Sequence, residues 1–146
     1  MWRRATSDDL AATTSDQEIE GYRTSYTGEG DPIEMLLNRT ASLFRAAIRT
    51  GGRARMSRNP YAIPEAVISK AMDYATFDVL KRLDVAINED RRRARTDAED
   101  LLKRLEEGRF EVENDGESDA DNVGRHAAKL VSVAPNRMTA QDLEGY

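Results

Sequence analysis

Apolar residues fall on one helical face in three separate stretches of the chain. In the first, Ile33, Leu36, Leu37, Ala41, Phe44, Ala47 and Ile48 recur every three or four positions, the spacing of an amphipathic helix. Asp31-Pro32-Ile33-Glu34 opens it: Asp can cap, Pro fits the first helical position, and Glu complements the positive end of the dipole. Gly51-Gly52 closes it. The second stretch starts at Pro64 and carries Val67, Ile68, Ala71, Met72, Ala75, Val79 and Leu83; it predicts a helix to about Ala86 or Ile87. The third covers about Glu89 to Glu107, with Ala94, Ala98, Leu101, Leu102 and Leu105 as its stripe and Gly108 as a C-cap.

The connections read as loops and short turns. Residues 51–63 carry Asn59-Pro60 and Ile63-Pro64, and a residue before Pro avoids the helical region. Thr6 or Ser7 can cap a turn through Leu10, and Ser15 with Glu18 has the spacing of a capping box ahead of a short helix to about Arg23. Gly28-Glu29-Gly30 breaks the chain there. Arg109–Val112 reads as a short extended piece, and no strand pair is expected. The predicted fold is all-α, a three-helix body with short N-terminal helices and an extended C-terminal arm. Its parts are an N-terminal short-helix extension (1–30), a helical body (31–110), an acidic spacer (111–134) and a docking tip (135–146).

The arm is set apart by a change of pattern. Every second residue from Glu111 to Asp121 is acidic, and the residues between are mostly small or polar. Such a run buries too little apolar surface to offset its ordering entropy. Apolar residues return beyond it, at Leu130, Val131, Val133, Met138, Leu143 and Tyr146. A spacer ending in a patterned tip suggests an arm that reaches another chain.

Charge sharpens this picture. The net charge of −5 hides a split, because residues 39–109 hold 16 Lys/Arg against 11 Asp/Glu while 1–38 and 110–146 each hold 3 against 8. Acidic ends around a basic middle suit head-to-tail contacts between copies. The chain has no Cys, so disulfides and Cys-based metal sites are excluded. The two arginines after Trp2 have no apolar run behind them, and no stretch approaches the length of a membrane span.

Catalytic chemistry lacks its parts. The single His126 lies in the polar tail, which leaves no partner for a His metal site or a Ser-His relay. Carboxylate pairs such as Asp97 with Asp100 and Asp73 with Asp78 sit among basic residues on charged helix faces. The reading is therefore of a non-enzyme with no cofactor and no metal. The candidate interface residues are Arg91, Arg92, Arg93 and Arg95 at the start of the third helix, Arg53, Arg55 and Arg58 in the loop, and Arg137, Met138, Leu143 and Tyr146 in the tip. An Arg run at a helix N-terminus opposes the dipole and asks for acidic partners, either Glu89, Asp90, Asp97 and Glu99 nearby or acids on another molecule.

Five segments, in order, carry a resemblance. They are Ala5-Thr6-Ser7-Asp8-Asp9-Leu10, Tyr61-Ala62-Ile63-Pro64, Ala71-Met72-Asp73-Tyr74-Ala75 with Leu80, Ala98 through Gly108, and Met138-Thr139 with Leu143, Gly145 and Tyr146. Together the chain resembles the small helical head–tail connector (adaptor) proteins of tailed phages, in particular a family found in Mu-like prophages. Met138 and Tyr146 stand where that family has aromatics, and Ala140 and Gln141 where Arg and Asp are usual. The resemblance implies a structural virion protein of the neck between head and tail, assembled in the host cytoplasm. It implies a homo-oligomeric ring, usually a dodecamer, that joins the portal protein to the tail or a tail-completion protein. DNA would pass through without sequence-specific binding, and no membrane would be involved. The alternative is a helical regulatory or nucleic-acid-binding module using its arginine clusters, which would bind DNA with a steep salt dependence.

Overall fold

The computed structural model describes residues 1–52 and 54–115, and Met1–Asp115 form a compact unit. Arg53, the greater part of the expected spacer and the whole docking tip lie outside the described residues. In chain order the elements are β1 (Trp2–Arg4), α1 (Ser7–Ala11), α2 (Asp16–Thr24), α3 (Pro32–Gly51), β2 (Ala62–Pro64), α4 (Glu65–Arg82) and α5 (Glu89–Glu106). The described protein is therefore mostly helical, with a short two-stranded sheet.

Each long helix begins and ends for a local reason. Asp31 caps α3 by accepting from the Ile33 N–H at 3.0 Å, ahead of Pro32. Gly52 ends it at φ 68° with its N–H on the Ile48 carbonyl, a left-handed cap that costs Gly nothing. Helix α4 stops at Arg82, short of the expected Ala86 or Ile87. Asp84 turns left-handed at φ 57°, a conformation Asp tolerates better than most residues, and the Val85 N–H turns back to the Leu80 carbonyl. Asn88 then caps α5 by accepting from the Arg91 N–H at 2.9 Å.

The expected apolar faces are the buried ones. All seven named residues of α3 are buried, six of the seven in α4, and four of the five in α5; Leu83 is half-buried against the core and Ala94 is intermediate. Helix α5 packs mainly on α4 and α3. At one end α3 and α5 come very close, because an added Cβ on Gly51 would lie 2.1 Å from the Leu105 carbonyl oxygen.

The N-terminal segment shares this core. Trp2, Leu10, Ile19 and Tyr22 are buried in the same cluster as the long helices. Thr6 and Asp9 form one capping box and Ser15 and Glu18 another. The Thr13 and Thr76 hydroxyls meet at 2.7 Å and link the end of α1 to α4.

Two further features differ from expectation. First, a strand pair exists: β1 and β2 are antiparallel, with Trp2 opposite Pro64, Arg3 opposite Ile63 and Arg4 opposite Ala62. Strands this short have no room to show alternation, and burial of Trp2 and Ile63 brings them together. Second, the chain stays on the body after residue 110. The acids at 111, 113 and 115 place residues 111–115 in the expected spacer. Phe110 and Val112 nevertheless face the core while Glu111 and Glu113 face outward, as in an extended segment with one apolar side; the alternation ends at Asn114, which is exposed, and Asp115, which is buried.

Candidate interaction surfaces

The Arg run on α5 divides into two structural clamps and two outward residues. Arg91 grips Glu18 of α2 through Nη1 and Nη2, at 3.0 and 3.3 Å. That hydrogen bonding holds the Glu18 carboxyl below its ordinary range, although burial opposes it. Glu18 also accepts from the Ser15 N–H at 3.0 Å, so one carboxylate both caps α2 and ties α5 to it. Arg95 lies over the Tyr74 ring at 3.4 Å and beside Phe77 at 4.9 Å. Its Nη1 donates to the Tyr74 carbonyl at 2.8 Å and to Asp78 at 3.2 Å. Its Nε is buried and has only Glu99 at 3.6 Å, an ion-pair distance beyond a hydrogen bond.

Arg92 donates to the Ile87 carbonyl at 3.2 Å from an exposed position. Arg93 is exposed and pairs with no described residue. The positive run at a helix N-terminus is thus offset by Asn88, Glu89, Asp90 and the distant Glu18. Among the loop arginines, Arg58 is exposed, and the Arg55 backbone bonds to residues 114 and 115. Arg53, Arg137, Met138, Leu143 and Tyr146 lie outside the described residues.

Sequence reading missed Arg45. Its side chain is buried and donates to the Ala62 carbonyl at 2.8 Å and the Ser57 carbonyl at 2.9 Å. It lies 5.8 Å from the Trp2 ring centroid. Burial pushes its guanidinium down, Arg49 adds to that, and Asp115 opposes it. The signal was present: Arg45 is four residues after Ala41 and three before Ile48, so it stands on the buried stripe itself.

Two clefts open beside the N-terminal segment. One, of about 300 Å³, is lined by Arg4, Thr6, Asp31, Ile33 and Leu37 among others. Its Arg4 is held by Glu34 and Asn38, each at 3.1 Å, and its Thr6 is used in a capping box. The other, of about 360 Å³, lies between α1 and α4. There Arg3 binds Asp9 through two nitrogens at 2.8 and 3.0 Å and reaches Glu65 at 3.4 Å. Both clefts hold cations already neutralised by neighbours, and no group of acids or histidines among the described residues could hold a metal ion.

The Arg3–Asp9 pair sets a pH dependence. The hydrogen bond from Arg3, aided by Thr6 and opposed by burial, lowers Asp9 from 3.8 to about 2. Glu18 and Asp31 are lowered in the same direction by Arg91 and Arg23. A depressed carboxyl contributes stability that is present above its unfolded value and is lost as pH falls through its folded value. Asp73 has the opposite sign: burial first, then Asp97, raise it, while Lys70 lowers it, so acid relieves strain there. Three groups against one favour loss. The thermal midpoint is expected to fall on acidification from about pH 4 to about pH 2. Asp9→Asn should flatten that fall by on the order of 1 kcal/mol. Parallel melting-versus-pH curves for the two proteins would sink this account.

Compared as a whole with known proteins, the chain matches no protein-family model, no curated protein and no solved structure.

Proposed function

We propose that the protein is a structural component of a phage virion, a head–tail connector that assembles as a ring beneath the portal and joins it to the tail or a tail-completion protein. The observation that carries this reading is the order of the five connector-like segments along nearly the whole chain. Four of them fall on joints or packing faces of the body. Residues 5–10 run into the capped turn α1, 61–64 enter β2 and α4, 71–75 place Ala71, Met72 and Ala75 on the inner stripe of α4, and 98–108 end α5 at Gly108 with φ 70°. The fifth lies outside the described residues. In this reading the helical body forms the ring wall, the tip docks on a neighbour, and DNA passes through the lumen. The protein sits in the virion neck after assembly in the host cytoplasm, with itself, the portal and the tail protein as partners. No described helix is long and apolar enough to cross a membrane.

The rival reading, a nucleic-acid-binding module, is weakened by the use of Arg91 and Arg95 as internal clamps. Side chains spent on Glu18, Tyr74 and Asp78 are not offered to phosphates. Native mass measurement with electron microscopy tests the pair. Rings, or co-purification with a portal, are expected; a monomer that shifts DNA in a gel would favour the rival. Deleting residues 135–146 is expected to leave a soluble helical body that no longer joins heads to tails. Normal joining by that variant would remove the docking role of the tip.

A further inference from the structure

Residues 109–115 are held to the body by side-chain contacts and single hydrogen bonds, and the Met1 ammonium pairs with the Glu113 carboxylate. Two half-buried side chains, Phe110 and Val112, touch the core, and Arg104 lies 5.7 Å from the Phe110 ring centroid. The Trp2 indole N–H donates to the Glu113 carbonyl at 2.7 Å. The Arg55 N–H donates to the Asn114 side chain at 2.8 Å, and the Asp115 N–H donates to the Arg55 carbonyl at 3.2 Å. No helix or strand includes these seven residues, in contrast to the long packed helices beneath them.

We infer that residues 109–115 are a releasable strap, which leaves the body as one unit and frees the Trp2 indole and the 54–58 loop while α3, α4 and α5 stay folded. Local openings of this kind occur where apolar contacts are few and backbone bonds lie near the surface. Two features lower the cost of release. Asp115 is buried and regains hydration when it leaves, which offsets much of its attraction to Arg45. Gly108, at φ 70° after α5, is a point where the chain changes direction with little backbone strain. The strap bonds to two distant parts of the sequence, Met1-Trp2 and Arg55, so it closes and opens both together.

The consequence follows from covalent connection. The chain runs on from Asp115 into residues 116–146, so a partner that grips those residues loads the strap before it loads any helix. Release would convert that grip into exposure of the N-terminal strand and the arginine-bearing loop. This inference goes beyond the connector reading and stands without it.

Hydrogen exchange measured by NMR on the full chain tests it. The Arg55 amide, the Asp115 amide and the Trp2 indole N–H, from the only Trp in the chain, are expected to share one opening step. Their protection should be about a hundredfold or more below that of the Phe44 and Ala47 amides in α3. Val112→Asp should lower the protection of all three by about tenfold or more and leave α3 unchanged. The inference is overturned if the three sites exchange independently or are as protected as α3. It is equally overturned if Val112→Asp leaves them unchanged, or lowers α3 by the same factor.

Discussion

Gly51→Ala is expected to lower the thermal midpoint by about 10–20 °C, corresponding to about 3 kcal/mol. On propensity alone the change should help, because Ala favours a helix over Gly by about 1 kcal/mol. The neighbouring helix reverses the sign. An alanine Cβ would lie 2.1 Å from the Leu105 carbonyl oxygen and 3.3 Å from the Gly108 backbone. The obstacle is backbone, so no rotamer change relieves it. The C-terminal turn of α5 must move, and the buried Leu101 and Leu105 move with it. Gly28→Ala is the control, with nothing within 4 Å of the new methyl, and it should melt with the parent. If Gly51→Ala also melts within about 2 °C of the parent, this close approach of α3 and α5 is wrong.

Arg45→Met should cost about 3 kcal/mol for a different reason. Methionine fills much of the volume but leaves the Ala62 and Ser57 carbonyls without their donor. Each buried carbonyl left unpaired costs about 1–3 kcal/mol. Asp115, already buried, loses the attraction of the Arg45 guanidinium. Arg45→Lys should rescue little, since an ammonium lacks the planar fork that spans two carbonyls. Denaturant unfolding followed by Trp2 emission reports both variants, because the guanidinium lies beside that ring. Full stability of Arg45→Lys would show that the charge matters and the fork does not.

Residues that act through near neighbours in sequence were legible. The apolar faces of α3, α4 and α5, the Asp31-Pro32 start and the Ser15/Glu18 box each rest on spacings of a few positions. What escaped was pairing over long separations. Trp2 meets Pro64 across β1 and β2, Glu18 meets Arg91, and Arg45 meets the 57–62 loop. Periodicity places Arg45 on a buried stripe but names no partner for it or for the others, because each partner is fixed by the packed helices between them. The acidic alternation from Glu111 to Asp121 shows the same limit. Read as composition it gives a spacer, yet its first turn of the pattern has Phe110 and Val112 on the inner side. Beyond Asp115 the corresponding positions are Gly116, Ser118 and Ala120, which offer little to bury. The arginine run asks in sequence for nearby acids or for acids on another molecule, whereas Arg91 and Arg95, four residues apart, are both drawn into packing, one to α2 and the other to α4.

Trp2 and Glu113 are joined by a 2.7 Å hydrogen bond although 111 positions separate them. The first and last residues of the body therefore lie near one another. A short linker from Asp115 back to Met1 could join them, with new ends cut into the exposed 84–86 turn between α4 and α5. Every helix would keep its neighbours. In such a permutant the two ends of the body would emerge from the opposite end of the α4–α5 hairpin, so anything fused there would be carried on a different side of the same fold.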